Sequence, residues 1–163
     1  MTKENKPSEG TESVWDYPRP PRIEKVSKHV QVFFCGELIA DTWAAFRVLE
    51  TSHPPTYYIP PEDTRLELLQ KTYKRTLCEY KGVADYYDLK VDDRVSKNAA
   101  WNYPNPTHEY ELLRNYLSFY PSRVDDCYVD GERVRAQEGD FYGGWITDNI
   151  VGPFKGAPGT EGW

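Results

Sequence analysis

Short apolar and aromatic runs, cut by turn-forming residues roughly every eight to twelve positions, set the rhythm of this chain, and that rhythm predicts strands. Val30–Phe34 is β-branched and aromatic; Gly36-Glu37 then marks a turn, and residues 38–41 begin the return strand of a hairpin. Residues 45–50 and 56–59 predict a third and a fourth strand, separated by the stiff Ser52-His53-Pro54-Pro55. At residues 60–71 the period changes. Pro61, Glu62 and Asp63 precede Leu66, Leu68 and Leu69, which predicts a short helix with acids in its first turn. Strand patterning resumes over 73–80, breaks at Gly82, continues over 86–91, turns at Asp92-Asp93 and returns over 95–101. A second short helix is predicted over 107–116, with Tyr110, Leu113 and Leu117 on one stripe and Thr107 as its cap. Residues 124–129 and 133–136 flank Asp130-Gly131, a strong hairpin signal.

A parallel α/β sheet needs a helix between successive strands, and the pattern lacks them. The expectation is therefore a mostly β fold of compact antiparallel sheets (an open barrel, a sandwich or a tent-like pair) with one or two short helices. Residues 71–134 are expected to form an uninterrupted antiparallel meander with at most one helix. Residues 1–12 are polar and read as a disordered, dispensable tail, and 13–138 as a single β domain. Residues 139–163, with seven of the eleven glycines, read as an arm held down by Phe141, Trp145 and Phe154, or as a flexible tail. A W-x-Y-P-x-P pattern occurs at Trp15–Pro20 and again at Trp101–Pro106, each ahead of a Gly-Glu turn (36–37 and 131–132). It marks either a pseudo-twofold of two half-sheets or coincidence in a Tyr- and Pro-rich chain.

Composition narrows the function classes. The chain has 163 residues, enough for one domain, and 15% of them are aromatic, including 13 Tyr and 5 Trp. Tyr and Trp combine large area with a polar handle, which suits ligand walls as well as cores. The net charge of −6, with six acids against two arginines over 125–140, argues against a nucleic-acid polymer or an anionic membrane as partner. Cys35, Cys78 and Cys127 are odd in number and scattered, which suits a reducing compartment. No apolar run nears the roughly 20 residues of a membrane span, and the polar start lacks a signal-peptide core, so the expected location is cytoplasmic. No metal-ligand set such as H-E-x-x-H or C-x-x-C is present and no phosphate-binding glycine loop occurs, so the motifs leave the cofactor unknown.

Four segments carry candidate chemistry. In Arg47–Pro55, His53 sits in a loop stiffened by two prolines and can exchange protons near neutrality, or it simply closes the loop. In Cys78–Gly82, strand alternation puts Cys78 and Tyr80 on one side and Glu79 and Lys81 on the other. Lys81 is then either a surface partner of Glu79 or an anchor for a phosphate or carboxylate. Cys78 is a nucleophile only where a cation lies beside it, and inert core otherwise. Trp101 and Tyr103 form a stacking platform or core, and Arg123 is placed to pair with Asp125 or Glu50.

The stretches VWDYPRPP (14–21), RVLETSHPPTYYIPPED (47–63), C-x-x-K-G (78–82) with ADYY (84–87), NAAWNYPNP (98–106) and FYPSRVD (119–125) strongly resemble the bacterial family known as domain of unknown function 427. The resemblance spans residues 14–134 and implies a compact, tent-like β fold with the shared polar residues at one pocket. The family carries a nucleotidyltransferase label, although the Gly-Ser and paired-aspartate pattern of known nucleotidyltransferases is missing here.

Together these readings predict a pocket lined by Glu50, His53, Tyr58, Lys81, Trp101, Tyr103 and Arg123 that binds a small anionic, planar molecule such as a nucleotide. In an enzyme, His53 and Lys81 would be catalytic: His53 as acid or base, Lys81 with Arg123 against developing negative charge, and Trp101 stacking the base. The alternative is a non-catalytic ligand sensor or protein-interaction module, its polar cluster structural and its glycine-rich arm docked on a protein partner. Oligomeric state is left open.

Overall fold

The computed structural model describes residues 10–163, and they form a mostly β protein whose antiparallel sheets do not close into a barrel. The expected tail over 1–12 lies largely outside the described residues. At its end, Glu12–Ser13 forms a short strand β1.

Three sheets build the body. β3 (Val30–Phe34) and β4 (Glu37–Thr42) form one hairpin, β11 (Asp126–Val129) and β12 (Glu132–Arg133) another, and β3 pairs with β11 to give the order β12-β11-β3-β4. Both hairpins turn on two residues in the left-handed region, Cys35-Gly36 and Asp130-Gly131, whose twist matches that of the flanking strands. The two W-x-Y-P-x-P copies differ: Trp15 is on a 3-10 turn and exposed, whereas Trp101 is buried at a strand end.

β7 (Leu69–Cys78), β8 (Gly82–Val91), β9 (Arg94–Asn102) and β10 (Ser118–Phe119) form the second sheet in the order β10-β9-β8-β7. The expected meander holds to Phe119 and stops there, because β11 leaves to pair with β3 in the first sheet. β2 (Arg22–Lys25), β5 (Phe46–Leu49) and β6 (Thr56–Tyr58) make the third sheet, tied to the second through the Ile59–Leu117 bridge.

Neither predicted helix forms as an α-helix. Residues 60–71 give two 3-10 turns, Pro61–Asp63 and Leu66–Leu68, because Thr64 bridges Ala40, the Arg65 N–H donates to the Ile39 carbonyl, and Leu69 is already in β7. His108–Leu113 is a 3-10 segment kinked at Tyr110, whose ring is drawn inward to donate its hydroxyl proton to the Pro21 carbonyl.

Strand alternation gives β8 two jobs. Leu89 and Val91 enter the main core with Val30, Val32, Phe34 and Ile39 of the first sheet. Ala84 and Tyr86 enter a second, aromatic core with Tyr58, Trp101, Tyr103 and Tyr120. The amino end is fixed to the body by Arg47, which donates to both oxygens of Glu12 (3.0 and 2.7 Å) and to Glu24 (2.6 Å). The glycine-rich segment is built in as well: β14 (Trp145–Ile146) pairs with β13 (Arg135–Ala136), β15 (Ile150–Val151) runs parallel to β1, and Trp145 is fully buried. Phe154 packs against Val14, Tyr17, Leu49 and Ile150, while Phe141 is exposed.

Candidate functional site

A cavity of about 280 Å³ opens where the aromatic core meets the loop after β5, the β7–β8 turn and the carboxyl-terminal arm. Glu50, His53, Tyr58, Lys81, Trp101 and Tyr103 all line it. Arg123 does not. Its guanidinium lies over the Tyr120 ring at 4.0 Å and donates to the carbonyls of Asn98 and Asp140, so it secures the arm at Asp140. The partners expected for it are engaged elsewhere, Asp125 by Arg94 and Glu50 by Arg19. Another cavity, about 340 Å³, surrounds Arg47; there the cation is already matched by Glu12 and Glu24, so that site is an ion cluster holding strands together.

The β7–β8 turn delivers Lys81. Thr107 pins this turn, its N–H donating to the Lys81 carbonyl and its hydroxyl to the Tyr80 carbonyl. β7 ends at Cys78, so alternation no longer applies beyond it, and Cys78 and Lys81 reach the same cavity rather than opposite faces. Lys81 is only 7% exposed, which removes the reading of a surface pair with Glu79. Its ammonium lies 5.9 Å from the Tyr103 ring centre, and no carboxylate among the described residues comes within 4.0 Å of it. Burial alone would push the lysine down. Tyr58, Cys78 and Glu50 outweigh that and hold it above the ordinary value, so it is a cation.

His53 is set by Gln137, a residue with no signal in the sequence. The Gln137 Oε1 accepts from the Gly144 N–H (3.1 Å) and its Nε2 donates to the Lys155 carbonyl (2.7 Å), which fixes the amide orientation. The same Nε2 lies 3.2 Å from His53 Nδ1, so Nδ1 accepts and the neutral ring carries its proton on Nε2. Burial pushes the imidazole below the ordinary histidine range. Glu50 pulls the other way, while Lys155, Arg19 and Lys81 reinforce the lowering.

Between that lowered value and about 6.5 the unfolded chain binds more protons than the folded one, so stability falls as the pH drops through this window. His53→Gln is expected to flatten the melting-temperature profile between about pH 7.5 and about pH 5.5 relative to the parent. Parallel profiles would show that folding leaves the proton affinity of His53 unchanged.

The aromatic wall is tightly committed. Trp101 donates from Nε1 to the Tyr58 hydroxyl (3.3 Å) and its ring packs on Tyr120 (4.7 Å between centres). Gly143 presses its backbone on the same indole; a Cβ there would lie 2.4 Å from the ring. The indole is therefore largely covered by protein, which leaves less of its face for a stacked ring than the platform reading expects. Burial raises Tyr58 and Tyr103, so both phenols on the cavity wall stay protonated. Gln137 and, from the arm, Phe141, Tyr142, Gly143 and Lys155 complete the lining. Among the described residues no three His, Cys, Asp or Glu side chains gather as metal ligands, and no helix is long and apolar enough to cross a membrane.

Fold and site together define a β-sheet protein with a small, aromatic-walled, cation-bearing cavity. The model of a family described as "Domain of unknown function (DUF427)", which bears a nucleotidyltransferase-like name, matches residues 22–130. That is more than half of the chain, and the chain belongs to this family. No curated protein matches it. The matched stretch contains Glu50, His53, Tyr58, Cys78, Lys81, Trp101, Tyr103 and Tyr120; the arm that walls the cavity lies beyond it.

Proposed function

We propose that this protein binds a small anionic, ring-bearing molecule of nucleoside-monophosphate size in the cavity around Lys81. The observation that carries the reading is Lys81 itself: a buried cation on a cavity wall with no carboxylate among the described residues within 4.0 Å. Its ammonium stays charged on the cavity wall, where an anionic ligand would meet it as a charge-assisted hydrogen-bond acceptor. The cavity volume of about 280 Å³ suits a mononucleotide or a smaller compound. Phenol donors from Tyr58 and Tyr103 and the Nε2–H of His53 would complete the recognition.

Ligand binding without turnover is favoured over a general-base role for His53 by one feature. Its Nδ1 is occupied by Gln137 and its proton sits on Nε2, which makes it a donor to a ligand. Thermal-shift measurements with nucleoside monophosphates, the parent nucleosides and sugar phosphates test the proposal. The monophosphates are expected to stabilise by about 2.7 kcal/mol at roughly 100 times their dissociation constant, and the nucleosides by much less. If no phosphate-bearing compound raises the melting temperature beyond sodium chloride of equal ionic strength, the reading is wrong.

A further inference from the structure

We propose that the free edge of β7 is a docking site for an extended acidic segment of another protein. That segment adds as a strand beside residues 75–78, its carboxylates on Lys74 and Arg75 and its apolar side chains on Tyr73, Leu77 and Val83.

β7 pairs with β8 on one side and, among the described residues, with no strand on the other. A strand edge presents a row of unmatched N–H and C=O groups, which makes it a template for one more strand. Other edges nearby are engaged: Thr64 bridges Ala40 on β4, and the Ile59–Leu117 bridge ties the third sheet to the second. Two features frame the open part of β7. Its ladder to β8 is irregular between Lys71 and Arg75, where the Lys74 N–H turns back to the Thr72 hydroxyl (3.2 Å). From Arg75 opposite Asp85 to Cys78 opposite Gly82 the ladder is regular, and beyond Cys78 the turn is pinned by Thr107.

Lysine on an edge blunts pairing between copies, and a guard of that kind needs no exposed apolar side chains. Here the Tyr73 side chain is fully exposed, and Leu77 and Val83, opposite one another in register, are 77% and 44% exposed. Alternation puts Arg75 and Leu77 on the same face, so charge and apolar surface follow each other along one line.

Charge selects the occupant. Residues 69–78 carry Lys71, Lys74 and Arg75 and no acid, in a chain of net charge −6. Lys71 and Arg75 share the carboxylate of Asp85, at 3.3 and 3.0 Å. The Lys74 ammonium lies 4.7 Å from the Tyr86 ring centre and has no carboxylate within 4.0 Å among the described residues. Antiparallel pairing of two copies of β7 sets these cations against one another, and like charges on facing strands repel. A second copy is therefore the disfavoured occupant. A strand with two adjacent acids between apolar residues is the favoured one: one acid meets Arg75, and its neighbour, on the opposite face, meets Lys74.

Fluorescence anisotropy on the full chain tests this with a labelled, end-capped peptide that alternates valine and threonine around a central pair of glutamates. A twin carries lysines in place of the glutamates, and a third peptide has prolines flanking the glutamates. The acidic peptide is expected to bind at least about tenfold tighter than the lysine twin. The proline peptide, which lacks ladder N–H groups, should bind no better than that twin. Lys74→Glu should erase the preference for acid. Tyr73→Ser should weaken binding without disturbing the fold, since the side chain is fully exposed. Backbone amide exchange should slow over residues 75–78 on binding and stay unchanged in the first sheet. Inorganic phosphate should displace no more peptide than sodium chloride of equal ionic strength, which separates this edge from the cavity at Lys81. The proposal is overturned by equal binding of the acidic and lysine peptides, by binding indifferent to Lys74→Glu, or by displacement specific to phosphate. A dimer in sedimentation that Tyr73→Ser dissolves would overturn it too, by making a second copy the occupant. The thermal shift with monophosphates reports on the cavity alone, so each reading stands or falls without the other.

Discussion

Trp145→Ala is expected to cost about 3–5 kcal/mol of stability, the range for removing a fully buried tryptophan. Its indole is entirely inaccessible, packs against Tyr57 at 4.8 Å between ring centres, and donates from Nε1 to the Phe119 carbonyl at 3.0 Å. Truncation would open a large void in the main core and leave that carbonyl unpaired, and the two penalties act together. The Trp145 backbone N–H donates to the Pro55 carbonyl, so the same residue ties the arm to the loop that carries His53. Urea denaturation checks the expectation through a lowered midpoint at unchanged slope. A loss below about 1 kcal/mol, the level of an ordinary surface change, would mean that the arm is an appendage and that the domain closes without it.

That role of the arm was hard to see in the sequence, where seven glycines in twenty-five residues resemble a linker. The physical reason for them differs from residue to residue. Gly143, for example, is small because the backbone lies against the Trp101 ring. The hairpins at 35–36 and 130–131 were legible because turn chemistry is local. Their lateral pairing, β3 with β11, was not legible, because it joins segments about a hundred residues apart and no local pattern encodes it. The first helix was misjudged for the same reason: the apolar spacing of Leu66, Leu68 and Leu69 is outweighed by strand pairing of Leu69 with Leu89, whereas the second is present as the six-residue 3-10 segment His108–Leu113 with Thr107 at its N-cap. In the site, polar residues interrupting aromatic strands pointed to His53 and Lys81, and the structure gathers them about one cavity. Alternation carried past the end of β7 put Cys78 and Lys81 on opposite faces, a rule applied where the strand had stopped. Arg123 looked like a ligand group by charge alone, and its distance from the cavity depends on tertiary packing over Tyr120.

Lys81→Met should leave a folded protein that has lost most of its affinity for anionic ligands. Methionine keeps the unbranched length and apolar stem of lysine, so it can fill the slot beside Tyr103 and Tyr58 while removing the charge. Deleting one partner of a desolvated charge pair costs about 2–5 kcal/mol, which is a loss in affinity of roughly thirty-fold to several thousand-fold. Titration calorimetry with the monophosphate that gives the largest thermal shift measures the change directly. Lys81→Arg separates charge from geometry, since it retains the cation but needs more room: an intermediate affinity is expected. The parent's stability should show the cation as well. Its neighbours hold Lys81 above the ordinary lysine value, so the stability it confers is present at neutral pH and is lost as the pH rises past about 10.5, a loss that Lys81→Met should lack. Were Lys81→Met to bind the same monophosphate within a factor of about three of the parent, too small a change for a lost desolvated charge, then Lys81 would not be the ligand's counter-ion. Its burial would have to be explained by Glu50, Tyr58 and Cys78 alone.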